Sequence, residues 1–267
     1  NNQGAQQVLF QMTINKVCEK EYGSKVSDKE VDKELAKQKK QLGNRFDAYL
    51  AQQGLTEETA KKQIRSNMLL EYAVNQAAKK DIKESDYKAA FESYTPEVTA
   101  QIIKLDSEDK AKEVLEAAKA EGADFAQIAK DNSTDTATKD KGGEVKFDSG
   151  TADIPSQVKE AAFKLDENGI SDVITVSAGQ NYSASYYIVK LNKKTEKGSD
   201  WKKYEKRLKE IIVDGRKQDT NYIRSIIAKA MTNANIKVKD DAFKSTFNQY
   251  LQNIGVQTSD SKSSSKK

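Results

Sequence analysis

Residues 98–105 read VTAQIIKL. The run is β-branched and strand-like, and it interrupts a chain whose hydrophobic period is otherwise helical. Working forward, Ser107 is placed to cap a helix with Ala111, Val114, Leu115 and Ala118 inward and Gly122 as its stop. Phe125, Ile128 and Ala129 form a short second helix. A polar stretch over 131–141 leads to Gly142-Gly143, read as a tight turn, and to the short strand Val145-Lys146-Phe147. Pro155 opens another helix as its first residue, with Val158, Ala162 and Leu165 on one face. Residues 170–176 and 185–191 finish as two strands joined by a Gly/Asn/Ser loop over 177–184. This order predicts a small antiparallel sheet with helices packed on it, over 97–195.

Working outward, both flanks are helical. Val8, Leu9, Met12 and Val17 fit one amphipathic pattern. Residues 27–30 (SDKE) form a capping box, followed by Val31, Leu35 and Leu42 at helical spacing and by Gly43 as a stop. Phe46, Tyr49 and Leu50 make a short helix ending near Gly54. Thr56, with Glu57 and Glu58 behind it, is a second cap, and Ala60, Ile64, Met68 and Tyr72 line the long helix it starts. Tyr87, Phe91 and Tyr94 end the first flank before Pro96. In the second flank Trp201, Tyr204, Leu208, Ile211 and Ile212 have helical spacing, as do Tyr222, Ile223, Ile226, Ile227 and Ala230, and Phe243, Phe247 and Leu251 close the pattern. Amphipathic helices need a partner, and the simplest partner of each flank is the other. The expected fold is therefore α+β. Residues 1–96 and 196–255 build one helical domain, 97–195 are an inserted α/β module, and the Ser/Lys-rich 256–267 are a disordered tail.

Composition excludes much chemistry. The 267 residues are 36% hydrophobic and 32% charged, and mean hydropathy is −0.82. No run approaches the roughly 20 apolar residues of a spanning helix. Histidine is absent, which removes imidazole metal sites and His-activated nucleophiles. The single cysteine, Cys18, has no partner for an internal disulfide. No Gly-rich phosphate loop is present, and no metal or cofactor is expected. The polar start NNQGAQQ reads as a mature or trimmed one. Residues 97–195 carry 13 basic and 18 acidic side chains, whereas the whole chain is +4. The basic flanks could attract an anionic partner, but Lys and Glu are mixed at helical spacing, as on a solvated face, and nucleic acid is not expected.

The blocks VTAQIIKL (98–105), GADFAQIAKDNSTD (122–135), KGGEVKF (141–147), IPSQVKEAAFKL (154–165), ISDVITV (170–176) and YYIVKL (186–191) resemble, in order, a parvulin-type (FKBP-like) peptidyl-prolyl isomerase domain. KVCEKEYGSKVSDKEVDKELAKQKKQLG (16–43) and QQGLTEETAKKQIR (52–65) are similar to the N-terminal part of the PrsA-type foldase lipoproteins of Gram-positive bacteria. The resemblance covers nearly the whole chain except the tail. It implies a foldase lipid-anchored at the outer face of the membrane, whose partners are unfolded or nascent secreted proteins held by a bowl-like helical domain. The lipid-bearing Cys of that family stands at the mature N-terminus, so Cys18 is not that residue and the anchor is expected upstream of Asn1.

Prolyl isomerisation breaks no bond. It needs an apolar pocket for the ring and polar groups around the twisting carbonyl. Where the family pattern has a His in its first strand this chain has Gln101, and where it has a His in its last strand this chain has Tyr187. The acidic position is Asp135, for which a loop-capping role is the simpler reading. Val145, Phe147, Ile154, Val158 and Phe163 stand at the pocket positions, with one aromatic ring fewer than the pattern. The resemblance therefore implies weak or absent isomerase activity in an ATP-independent chaperone. The alternatives are an active isomerase using Gln101, Asp135 and Tyr187, or a passive cell-envelope scaffold. Tyr49, Tyr72, Tyr87, Phe91, Tyr94, Trp201 and Tyr204 are candidates for client binding if they line a concave face. Pairing of two copies through amphipathic flanks is left open.

Overall fold

The computed structural model of the chain describes residues 2–178 and 183–234. The side chains of Val8 and Leu9, the expected pattern at Phe243, Phe247 and Leu251, and the tail 256–267 lie outside what is described. The chain forms two compact units, one of Asn1–Asp86 with Lys209–Lys267 and one of Tyr87–Leu208. Residues 87–96 and 196–208, read with the helical flanks from the sequence, thus cluster with the sheet.

In the helical unit, α1 (Asn2–Tyr22), α2 (Asp28–Leu42), α3 (Phe46–Gln52), α4 (Glu57–Lys80) and α10 (Thr220–Asn233) share one core. It joins Ile14 and Cys18, Val31 and Leu35, Phe46 and Leu50, Ile64 and Leu69, and Ala228 and Met231. Helices α1 to α4 and α10, from opposite flanks of the chain, therefore bury each other's apolar faces. The cap of α2 is as expected: the Glu30 amide donates to Ser27 Oγ at 3.3 Å and the Ser27 amide to Glu30 Oε2 at 2.7 Å. Thr56 caps α4, but its reciprocal partner is Thr59, whose hydroxyl accepts from the Thr56 amide at 2.8 Å.

The second unit is built on a four-stranded antiparallel sheet in the order β2-β1-β4-β3, with β1 (Val98–Leu105), β2 (Glu144–Phe147), β3 (Ile174–Ala178) and β4 (Ser183–Lys194). On one face α6 (Glu108–Lys119) and α7 (Phe125–Asn132) cover Ile103, Leu105 and Ile188. On the other α8 (Ser156–Lys164) covers Val98, Ala100, Ile102, Val189 and Leu191. α5 (Glu84–Ser93) leads into this unit and α9 (Glu205–Gln218) leads out of it.

Several element boundaries differ from the sequence expectation. Pro155 is the N-cap of α8, with ψ 142°, and Ser156 is its first residue. α6 ends at Lys119, ahead of Gly122, because Ala120 is already extended. Ile170 makes only an isolated bridge to Lys190 and β3 begins at Ile174. Ser177 and Ala184, assigned to a loop, are paired strand residues. Trp201–Tyr204 is a 3-10 turn, and α9 starts after it. The tight turn at Gly142-Gly143 has a stronger reason than turning. Both residues have positive φ, and a Cβ on Gly143 would lie 2.5 Å from the Ile102 carbonyl oxygen. Only glycine lets this loop lie against β1.

Candidate functional site

The sheet face under α8 is an apolar shelf. Its floor is closed: Phe147 from β2 and Val158 and Ala162 from α8 are fully buried against Ala100, Val189 and Leu191. Its rim is half-exposed and consists of Val145, Ile154, Phe163, Leu165, Ile174, Val176 and Tyr187. The Phe147 and Phe163 rings meet at 5.8 Å, tilted by 51°. All five residues expected at the pocket therefore come together, with Tyr187 beside them. Strand alternation explains why, since β4 turns Tyr187, Val189 and Leu191 to one face. The rim offers one polar side-chain group, the Tyr187 hydroxyl.

Gln101 and Asp135 are placed differently. Gln101 has the parity of Ile103, which faces α6 and α7, so the pleat sets it on the face opposite Tyr187. Its Nε2 donates to the Gly142 carbonyl at 2.9 Å. Asp135 lies in the loop that continues along β1 where β2 stops; the Thr134 amide there donates to the Lys104 carbonyl at 2.8 Å. The Asp135 carboxylate accepts from the Ala137 amide at 3.1 Å and from the Thr138 hydroxyl at 2.6 Å. Both oxygens thus hold the loop's own turn, as an Asx residue does. Of the three positions expected to carry chemistry, only Tyr187 faces the shelf.

A charged cluster at the end of β2 was not anticipated. Asp148 is buried directly after the shelf residue Phe147. Arg207, in the first turn of α9, grips it with Nε at 2.6 Å and Nη2 at 2.8 Å. The Tyr94 hydroxyl donates to it at 3.1 Å and the Thr151 hydroxyl at 3.0 Å. Burial alone would raise the Asp148 pKa, but the hydrogen bonds and charge of Arg207, with the hydrogen bonds of Thr151 and Tyr94, outweigh it, and the carboxyl lies below its ordinary value. Burial and the neighbouring carboxylate push the Tyr94 phenol well up. Lys159 closes the same loop, donating to the Ser149 and Thr151 carbonyls at 2.9 and 2.6 Å. The loop that carries Ile154 to the rim is therefore pinned at its root.

The aromatic candidates divide between the units. Tyr87 stacks on Trp201 at 5.0 Å, Phe91 on Tyr204 at 5.8 Å, and Tyr94 meets Tyr204 at 5.3 Å. Lys197 lies over Phe91 at 4.5 Å. These five rings cover one another and join α5 to the turn before α9. In the helical unit Tyr72 tilts against Tyr22 at 5.9 Å, and Tyr49 is 44% exposed. A groove of about 510 Å³ there is lined by Tyr22, Ala73, Ala77, Ile226 and Ala230 together with charged side chains of both signs, Glu21, Lys79, Lys80, Asp81 and Lys229. Cys18 is buried, which raises its thiol pKa. Among the described residues no cluster of acidic or thiol side chains could hold a metal, and no helix is long and apolar enough to cross a membrane.

Comparison with known proteins adds to this geometry. Residues 93–193 match the PPIC-type PPIase, or rotamase, domain. A foldase protein PrsA of Streptococcus sanguinis is 60% identical over 96% of the chain and 76% of its own length. The crystal structure of a foldase protein PrsA from Streptococcus pneumoniae superposes with a TM-score of 0.84 at 55% identity, covering 94% of this chain and 92% of that one. That of a PrsA foldase from Lactococcus lactis gives 0.74 at 36% identity, covering 92% and 88%.

Proposed function

The chain belongs to the PrsA foldase family and carries a PPIC-type peptidyl-prolyl isomerase domain, and on that premise we propose that it is an extracytoplasmic, ATP-independent, lipid-anchored foldase for secreted proteins. The observation that carries the reading is the shelf, a closed floor of Phe147 and Val158 with a half-exposed apolar rim. A proline ring or short aliphatic side chain of an unfolded client would rest there, gaining on the order of 25 cal/mol for each Å² of apolar surface removed from water. A shelf without charge selects apolar segments without demanding one sequence.

Isomerisation makes a further demand. The amide barrier is about 18–20 kcal/mol, and lowering it requires polar groups aimed at the twisted carbonyl. Tyr187 is the one such group at the rim, while Gln101 and Asp135 hold loop backbone elsewhere. We therefore expect the domain to bind prolyl segments and to catalyse their exchange weakly or not at all. NMR exchange spectroscopy on X-Pro peptides tests this, run beside an assay of suppressed client aggregation. Suppression without accelerated exchange is the expected result. Strong acceleration that falls when Tyr187, Gln101 or Asp135 is replaced would instead make the chain an active isomerase. Neither suppression nor exchange, with salt-sensitive binding to wall polymer, would make it a scaffold.

A further inference from the structure

β3 is an end strand, and among the described residues only β4 pairs with it. The free side of an end strand offers a row of backbone N–H and C=O groups to any extended chain, and folded proteins blunt such rows with charge, proline or short length. The opposite end strand is blunted by charge: β2, at four residues similar in length to the five of β3, exposes Glu144 and Lys146. β3 reads ITVSA and has neither charge nor proline. Its two sides also differ. Ile174 and Val176 are half-buried against the shelf, whereas Thr175 and Ser177 are exposed. A strand added beside β3 would continue the shelf, because its alternate side chains would fall on the face of Ile174 and Val176.

We propose that β3 is a strand-addition site for an extended client segment that is uncharged and alternates apolar with small polar residues. Its backbone pairs with the free edge of β3 while its apolar side chains rest on the shelf. Charge matching selects this occupant: neither β3 nor the shelf rim carries a charged side chain, so a charged segment would lose hydration without gaining a counter-charge. Main-chain pairing supplies affinity that any sequence can use, and alternation supplies the preference. The proposal rests on the foldase reading above and adds to it where, and in what conformation, a client is held.

The test uses the full chain and a soluble peptide of alternating valine and serine with a terminal lysine pair. Two versions are N-methylated, each at every second residue, so that each blocks the amides along one edge of the peptide. Binding is read by NMR titration of the amides of 174–177. The expected result is that the parent peptide shifts these amides, that one methylated version binds about tenfold more weakly or worse, and that the other binds as the parent does. Equal binding by both methylated versions would mean that side chains alone are held, and would overturn the proposal. Self-association that protects the β3 amides without peptide would assign the edge to a second copy and also overturn it. Suppressed client aggregation with no shift at 174–177 would remove the edge and leave the foldase reading standing. Loss of suppression as well would remove both.

Discussion

Arginine is scarce in this chain, with five among 45 basic residues, and three of the five act as clasps. Arg65 donates to both Glu19 carboxylate oxygens and to the Gly23 and Val26 carbonyls, each at 2.9 Å. Arg216 caps the end of α4 at the Ala78 carbonyl and holds Asp86. Arg207 holds Asp148. A lysine presents one compact charge, whereas guanidinium offers a rigid fork of five donors, which explains why these positions are not among the chain's many lysines. The scarcity was visible in the sequence, but the partners were not, because Arg207 and Asp148 stand 59 residues apart. The Asp148 carboxyl is held below its ordinary pKa, so the unfolded state binds more protons than the folded one between the two values. The stability it contributes is complete above the unfolded value of about 4 and is lost as pH falls through the lower folded one. Urea titrations from pH 6 downward should show that loss in the native chain, and it should be smaller in Asp148→Asn. At pH 6 that variant should cost about 2–3 kcal/mol, less than for a fully buried pair because Arg207 is one-third exposed.

At the scale of the element, α4 shows where periodicity reads correctly and where it stops. The expected stripe of Ala60, Ile64, Met68 and Tyr72 holds for its first two members only. Burial then passes to Leu69, Ala73, Val74 and Ala78, while Met68 and Tyr72 are half-buried. Leu69 is nine residues from Ala60, roughly two and a half turns, and so on the other side of the helix. The cause is tertiary: α4 packs on α2, α1 and α10, and a helix with three neighbours has no single buried face. Caps were legible because Ser27, Glu30 and Thr56 act on amides within one turn. The second buried face was not, because its reason lies in helices distant in sequence. Leu69→Ala should cost about 3 kcal/mol, and Met68→Ala about 1 kcal/mol, measured by urea unfolding at constant m-value. Equal costs would mean that one continuous stripe governs α4 after all.

At the scale of the whole molecule, block order and the change of hydrophobic period at residue 98 were enough to identify an α/β module between helical flanks. They place its borders at 97 and 195, because a change of period marks where secondary structure changes. Tertiary contact changes elsewhere. The Tyr87–Trp201 and Phe91–Tyr204 stacks and the Arg207–Asp148 clasp belong to the sheet-bearing unit, which extends from Tyr87 to Leu208. This distinction is measurable with two excised fragments. A fragment of 87–208 keeps every partner of Asp148 and should fold cooperatively. The remaining helices, closed by a short Gly/Ser linker between Asp86 and Lys209, should keep their helical circular dichroism, since their core is made by residues outside the excised part. A fragment of 97–195 loses both Tyr94 and Arg207 and keeps, of the groups that hydrogen-bond the Asp148 carboxylate, Thr151 alone. An uncompensated carboxylate in that position costs several kcal/mol, a large share of the stability of a domain this size. The shorter fragment should therefore melt well below the longer one, and below pH 4, where Asp148 can take up a proton and shed its charge, the gap between them should narrow. Equal melting at neutral pH would show that the aromatic stack and the clasp contribute nothing to the unit that holds the shelf.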